Sequence, residues 1–440
     1  MLPHLSVAAW EARVAGRRRF QAPELDPGSA ERLAALFGRP VTAAAAVAAI
    51  LDEVRQEGDP ALVRWTSRLD GVDPRPLRVP AAALSAAWQG LEADLQQALT
   101  LAHQRITDFH TLQRDARWRG SADLGLRPGP VERAGLYVPG GRAAYPSTVL
   151  MTAAPARVAG VPEVVVVTPP RPDGTVAPTV LAAAHLAGVT AVYRVGGAQA
   201  IAALAYGTAS IPAVDVIAGP GNIFVTLAKQ QVVGAVGIDG LAGPSEVLVI
   251  AGGDADPDHV AADLVSQLEH DPLAWAVCLT DDPAFAAALR ARFTRRAGEA
   301  ARSGIIAAAA GAQAAVVVVR DLAAAVALAN AFAPEHLSLQ GRTAEPLAEA
   351  CRTAGALFIG PYAPVSLGDY TAGPNHTLPT GGAARFHGPL AVDDFVRWTS
   401  VVRMDETTYR PLAEAAIILA TSEGLEGHAA ALRARFPPGG

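Results

Sequence analysis

From Val131 onward the chain alternates short β-branched runs with alanine-rich stretches of about ten residues or more, the spacing of βαβ units. No other feature limits its fold as strongly. The runs PEVVVVTPP, TAVYRV and VDVIAGPG come first, and SEVLVIA, WAVCLTDD, AAVVVVRD and GALFIG follow. Continuous apolar runs of strand length, separated by helical spacers, predict parallel strands buried on both faces. Two successive sets predict two α/β sheets.

Upstream, TAAAAVAAILDEVRQEGDPALVRWTSRLD and AAALSAAWQGLEADLQQALTLAHQRITDFHTLQRD place apolar residues at helical spacing, so the N-terminal region reads as helical. Downstream of Ile359, the glycine- and proline-rich GPYAPVSLGDYTAGPNHTLPTGGAARFHGP is too long to be an idle loop, and the tail reads as two helices broken at Gly424. With 51% hydrophobic and 18% charged residues among 440, there is material for large cores in two or three domains. A net charge of −6 gives no basic footprint for nucleic acid or an anionic membrane, and no apolar run is long enough to span a bilayer. The N-terminus lacks the pattern of a secretory signal. Two cysteines, Cys278 and Cys351, in apolar strand-like runs, read as buried thiols of a reducing compartment, and a cytoplasmic location is expected.

The chain has no GxGxxG, no GxxxxGK[ST] and no HExxH. It has three strand–glycine–helix junctions, LYVPGGRAAYPSTVLM, YRVGGAQAIAALAYG and DVIAGPGNIFVTLAKQ, where a ligand can approach backbone amides at a helix start. Tyr137, Gln199 and Asn222 stand beside them, although each junction alone also fits an ordinary tight turn. In SQLEHDP, a helix would put Gln267 and His270 on one face, as metal ligands or as packing and capping residues. FAPEHLSL carries Glu335 beside His336, either a solvated pair or a carboxylate and imidazole equipped for proton transfer. LGDYTAGPNHTLPT adds Asp369 and His376, and EGLEGH adds Glu423 and His428.

Taken in order, GLYVPGG with PSTVLM, GGAQAIAALAYGT, GPGN, AGPSEVLVIA, SQLEHDP, APEHL, GDYTAGPNHTLPT and EGLEGH resemble histidinol dehydrogenases, from about residue 30 to 435. The resemblance implies oxidation of L-histidinol to L-histidine by NAD in two steps, through an aldehyde that stays bound. It implies one zinc ion per subunit on Gln267, His270, Asp369 and His428, a donor set without thiolate that suits an exchangeable catalytic site. It also implies His336 as general base and Glu335 as activator of water. Ser245, His376 and Glu423 would contact substrate together with the zinc ligands and His336, and Tyr137, Gln199 and Asn222 would contact NAD. The implied architecture is α/β, with two Rossmann-like parallel-sheet domains, a helical N-terminal region and a small helical C-terminal tail. Residues 1–130 would pack on the second α/β domain, 131–243 would bind NAD, 244–385 would carry most of the zinc and catalytic site, and 386–440 would form a dimerisation tail exchanged between two chains.

One departure from the family pattern is the continuation of the VPGG turn as RAAYPSTVLM, which puts Arg142 and Tyr145 at the expected cofactor mouth. Three other readings compete: a relative of the same fold acting on another small alcohol, a zinc hydrolase using Glu335, and a non-catalytic metal-binding protein.

Overall fold

The computed structural model describes residues 2–15, 25–114, 119–121, 123–140 and 143–436, so Arg142 lies outside the described residues. The fold is α/β with parallel sheets. Two compact units are present: Met1–Arg114 with Val131–Phe395, and Asp115–Pro130 with Val396–Gly440.

The first unit holds both predicted sheets. In the first sheet the strands lie in the order Ala191–Arg194, Glu163–Thr168, Arg133–Tyr137, Val216–Ala218, Gly237–Ile238, all parallel. Numbered along the chain this order is 3-2-1-4-5, so the winding reverses between the Arg133 and Val216 strands and leaves a crevice beyond their carboxyl ends. The run Val164–Val167 shows why the strands form. Val164 and Val166 enter the core on one face, Val165 and Val167 the core on the other, and all four are buried. Each such side chain contributes about 1.5–3 kcal/mol relative to exposure.

The second sheet repeats the 3-2-1-4-5 winding. Its order is Ala314–Val318, Trp275–Thr280, Glu246–Ala251, His336–Gln340, Ala356–Ile359, with the short strand His4–Leu5 added at the Ala314 edge. Here too alternate residues divide between two cores, with Val247, Val249 and Ala251 on one side and Leu248 and Ile250 on the other.

The helical N-terminal region forms, but it does not pack mainly on the second sheet. Helices Ala43–Glu57 and Asp59–Asp70 bury Val47, Ile50, Leu62 and Trp65 in one core of the first sheet, and helices Ala81–Gln89 and Ala93–Gln113 bury Leu84, Leu99 and Ile106 in the other. Among the described residues of this region, only those near the start reach the second sheet, where Trp10 is wholly buried beside Phe332 and Trp275. Helical periodicity says which face is apolar, not which sheet it covers.

The second unit corrects two boundaries. Strand Leu124–Pro130 pairs antiparallel with Val396–Val402, so residues 115–130 join the tail rather than the helical region. Residues 386–395 stay with the first unit because Leu390 and Phe395 are buried in its core. Helices Glu406–Ser422 and Glu426–Arg433 follow, separated at Gly424, whose φ is 73°. Both cysteines are free; Cys278 is buried in its strand, whereas Cys351 is half-buried after the short 3₁₀ helix Glu345–Ala350. Among the described residues no helix is long and apolar enough to cross a membrane.

The crevice of the first sheet depends on a close backbone approach at Gly219. With φ at 116°, a Cβ there would lie 2.2 Å from the Tyr137 carbonyl oxygen. Gly219→Ala should therefore destabilise the fold by about 2–3 kcal/mol, whereas Gly38→Ala, also left-handed at φ 67° but facing open space, should cost about 1 kcal/mol. Urea unfolding measures both, and equal losses would show that the approach at Gly219 is not a constraint.

Candidate active site

Glu246 begins the central strand of the second sheet and is buried. The strand His336–Gln340 runs beside it in a register that sets His336 opposite Val247. This brings the preceding residues together: the Glu246 N–H donates to Glu335 Oε2 at 2.7 Å, and Nδ1 of His336 donates to the Glu246 carbonyl at 2.8 Å. The Glu246 side chain returns the contact, accepting from the Glu335 N–H at 3.3 Å and from the Gly381 N–H at 3.0 Å.

The tautomer of His336 follows from its partner. A carbonyl oxygen only accepts, so Nδ1 carries the hydrogen and Nε2 keeps its lone pair. Burial holds the imidazole below its usual pKa, the Asp369 charge and the Glu246 bond oppose that shift, and His270 and His376 add to it. His336 therefore rests neutral with Nε2 as an acceptor. Burial also pushes Glu335 well above the usual carboxylate range, with the Glu246 and Asp369 charges adding to the rise and the Glu246 N–H opposing it. Glu335 Oε2 lies 3.4 Å from His336 Nδ1.

His336, Asp369 and His376 line one recess with Phe358 and Asn375. Asp369 lies in the short helix Val365–Tyr370, and its carbonyl accepts from Nδ1 of His376 at 3.0 Å, so His376 also keeps Nε2 as an acceptor. Asn375 is buried and anchors this loop: its amide donates to the Met151 carbonyl at 2.6 Å and to His110 Nε2 at 3.1 Å, while its oxygen accepts from the Thr377 N–H at 2.9 Å. The helix Pro257–Leu268 ends before His270, so the expected shared helical face becomes a terminal turn in which the His270 N–H reaches the Gln267 carbonyl at 3.4 Å. Gln267 is buried and its Nε2 has no hydrogen-bond partner among the described residues, whereas His270 is exposed. Ser245, half-buried, immediately precedes the Glu246 strand.

Among the described residues no three His, Cys, Asp or Glu side chains already stand in ligating geometry. The donor chemistry nevertheless fits a borderline cation. Gln267 presents an unmatched buried amide, whose O and N positions interchange on a flip, and Asp369 and His270 both act electrostatically on His336 and His376. Glu423 and His428 belong to the second unit, where Glu423 ends the helix Glu406–Ser422 and His428 lies in Glu426–Arg433, both exposed.

Tyr137, Gln199 and Asn222 flank the crevice of the first sheet. Tyr137 ends its strand, and its hydroxyl accepts from the Gly197 N–H at 3.1 Å; burial pushes the phenol up to about 12. Gln199 is buried in the helix Gly197–Tyr206 with neither amide atom hydrogen-bonded among the described residues. Asn222 is exposed and caps the helix Ile223–Val232, accepting from the N–H groups of Phe224 and Val225. The loop before it is braced by a buried ion pair: Lys229 contacts Asp239 and donates to the Gly219 carbonyl at 3.1 Å, and Asp239 accepts from the Gly219 N–H at 2.7 Å. Tyr145 is exposed just before the helix Pro146–Ala159.

Sequence reasoning missed Glu246, Asn375 and the Lys229–Asp239 pair. The signal for Glu246 was a charged residue at the head of an otherwise apolar strand.

A family model described as histidinol dehydrogenase matches residues 39–436. The histidinol dehydrogenase of Parasynechococcus marenigrum is 53% identical over 391 residues, covering 88% of this chain and 90% of that protein. That of Moorella thermoacetica is 50% identical over 400 residues, covering 89% and 94%. The crystal structure of histidinol dehydrogenase from Elizabethkingia anophelis has a TM-score of 0.88 at 31% identity, over 99% of this chain and 98% of that one.

Glu246→Ala strips the acceptors from two main-chain N–H groups and should cost about 2–4 kcal/mol in urea unfolding. Glu246→Gln keeps one accepting oxygen and removes a like charge from Glu335, so it should cost less than half as much. An alanine variant as stable as the parent would show that the side chain does not brace the corner.

Proposed function

The chain belongs to the histidinol dehydrogenase family of oxidoreductases, and from that premise we propose that it carries out an NAD-dependent, zinc-requiring, four-electron oxidation of L-histidinol to L-histidine through bound L-histidinaldehyde, the last two steps of histidine biosynthesis. The observation that carries this reading is the His336 tautomer: a neutral imidazole whose Nδ1–H is tied to Glu246, with Nε2 free as an acceptor. Zinc, when bound, supplies a template for the substrate's imidazole and amino nitrogens, and NAD accepts the hydride.

The residues divide the remaining work. His336 Nε2 takes the alcohol proton as hydride leaves, because charge building on oxygen is relieved by a base of near-neutral pKa. It takes the hydrated aldehyde's proton in the second oxidation. Glu335 activates the water that hydrates the aldehyde; a nearby positive charge is what would bring its buried carboxyl to the ionised form that this needs. Gln267, His270, Asp369 and His428 would hold the zinc, one ion per subunit. Ser245, His376 and Glu423 would orient the substrate, with Glu423 suited to a cationic amine. Tyr137, Gln199 and Asn222 would hold NAD at the switch point of the first sheet. His428 and Glu423 would come from the tail of the other chain in a homodimer, an exchange of identical elements. A cytoplasmic location goes with this reading.

Purified protein given NAD and histidinol should form about two NADH per histidinol consumed. Glu335→Gln should keep zinc and substrate affinity but slow aldehyde oxidation, whereas His270→Ala or Asp369→Ala should lose zinc and activity together. Parental aldehyde oxidation by Glu335→Gln would remove Glu335 from its role. For the exchanged tail, His428→Ala and His336→Ala chains are unfolded, mixed equally and refolded. Random pairing should restore roughly a quarter of parental activity per chain. No recovery, with heterodimers verified by mass, means that each tail serves its own chain.

A further inference from the structure

The turn that starts the Gly197 helix gathers more unmatched polar groups than the residues already assigned to it. Gln199 leaves both amide atoms without partners among the described residues, and its oxygen lies 2.6 Å from where a Cβ on Gly197 would stand. Another such group comes from the N-terminal region. Helix Asp59–Asp70 packs on the Gly197 helix, and at its start Asp59 accepts from the Ser210 N–H at 3.3 Å and hydroxyl at 2.6 Å, just past that helix's end. The two helices therefore run in opposite directions, and Asp70, at the end of one, comes to the beginning of the other. Beyond Asp70 the chain turns at Gly71, with φ 75°, and reaches the carboxyl end of the edge strand Ala191–Arg194, where the Arg194 N–H donates to the Leu77 carbonyl at 2.9 Å.

Asp70 is thus placed on the crevice side of the first sheet, close enough for its charge to add to the elevation of the Tyr137 phenol. Its Oδ2 is buried without a hydrogen-bond partner among the described residues, and burial holds its carboxyl up at about 6. The position does nothing for its own helix, because a negative charge at a helix C-terminus opposes the dipole. A buried acceptor left unmatched is costly, which is reasonable where a ligand's donor meets it.

The ligand must suit both the carboxylate and the amides of the Gly197 helix start. Those amides, apart from the Gly197 N–H that Tyr137 holds, favour an anion, whereas a carboxylate oxygen needs a donor, which an anionic group does not supply. A dinucleotide offers both on adjacent parts, a pyrophosphate and a ribose diol. We propose that Asp70 is a further cofactor-binding residue, whose free oxygen accepts a hydrogen bond from a ribose hydroxyl of the dinucleotide and whose charge excludes a phosphate from that hydroxyl. The assignment rests on the proposed use of NAD and adds a basis for discrimination against the phosphorylated cofactor.

The test uses full-length Asp70→Asn and Asp70→Ala, with NAD and NADP affinities from calorimetry, kcat with histidinol, and thermal midpoints without cofactor. Both variants should bind NAD about tenfold more weakly with kcat within about threefold of the parent, as loss of one charge-assisted hydrogen bond predicts. The preference for NAD over NADP should narrow by about tenfold or more. Because burial raises the Asp70 pKa from 3.8 to about 6, the native state loses stability as pH rises between those values and carries the full cost above them, so Asp70→Asn should melt no lower than the parent at neutral pH without cofactor. Parental NAD binding should weaken as pH falls through about 6 and lose that dependence in Asp70→Asn. NAD affinity unchanged within about twofold in both variants overturns the assignment alone, as does weakened binding accompanied by a lower thermal midpoint in both, which marks a structural role. A parent that binds no NAD overturns the cofactor reading and this assignment with it.

Discussion

The main-chain amide and carbonyl of Glu246 hold the carboxylate and the imidazole on which the proposed chemistry depends. Both contacts are consequences of strand register. A shift of one residue between the Glu246 and His336 strands would part the pairs and turn each strand's apolar residues toward the wrong core. The packing that makes the second sheet stable, with Val247 and Val249 on one side and Leu248 and Ile250 on the other, is therefore also what fixes the tautomer of His336. Anchoring both side chains on backbone groups makes their anchor points independent of any neighbouring side-chain rotamer.

The two sheets use the same winding differently. In the first, Tyr137, Gly197 and Asn222 lie where strands end and helices begin, the crevice that a doubly wound sheet offers to a ligand. In the second, Glu246, His336 and Ala356 each begin a strand, so the recess lies at the amino edge. Three unmatched buried polar side chains lie in these regions, Gln199 and Asp70 around the first crevice and Gln267 in the helix end before His270, while others among the described residues, such as Trp10 and Thr107, lie elsewhere. Each of the three lowers stability in the protein alone, and ligand donors and acceptors are what would offset that cost.

Much of this was legible in the sequence, for identifiable reasons. Strands such as Val164–Val167 are buried on both faces, so continuous β-branched runs predicted both sheets. The candidate site residues come from an ordered set of family motifs rather than from periodicity; by themselves Glu335 and His336 read either as a solvated pair or as a proton-transfer pair, and their burial is against the first. What stayed hidden is non-local. The pairing of Leu124–Pro130 with Val396–Val402 joins segments far apart in the chain, and no local pattern in either names its partner. Asn375 looks like one more polar residue in a glycine-rich loop until it is seen buried against Met151 and His110. Asp70 reads as the frayed end of a helix until that helix is seen running antiparallel to the Gly197 helix.

The central claim is that His336 rests as a neutral imidazole, protonated at Nδ1 and free at Nε2. Nitrogen-15 NMR of histidine-labelled protein, with the spectrum of His336→Gln used to assign the resonances, reads this directly. The account predicts a protonated Nδ1 coupled to its hydrogen and an Nε2 with the shift of an unprotonated ring nitrogen at neutral pH. A His336 protonated at Nε2, or carrying both hydrogens, would contradict it.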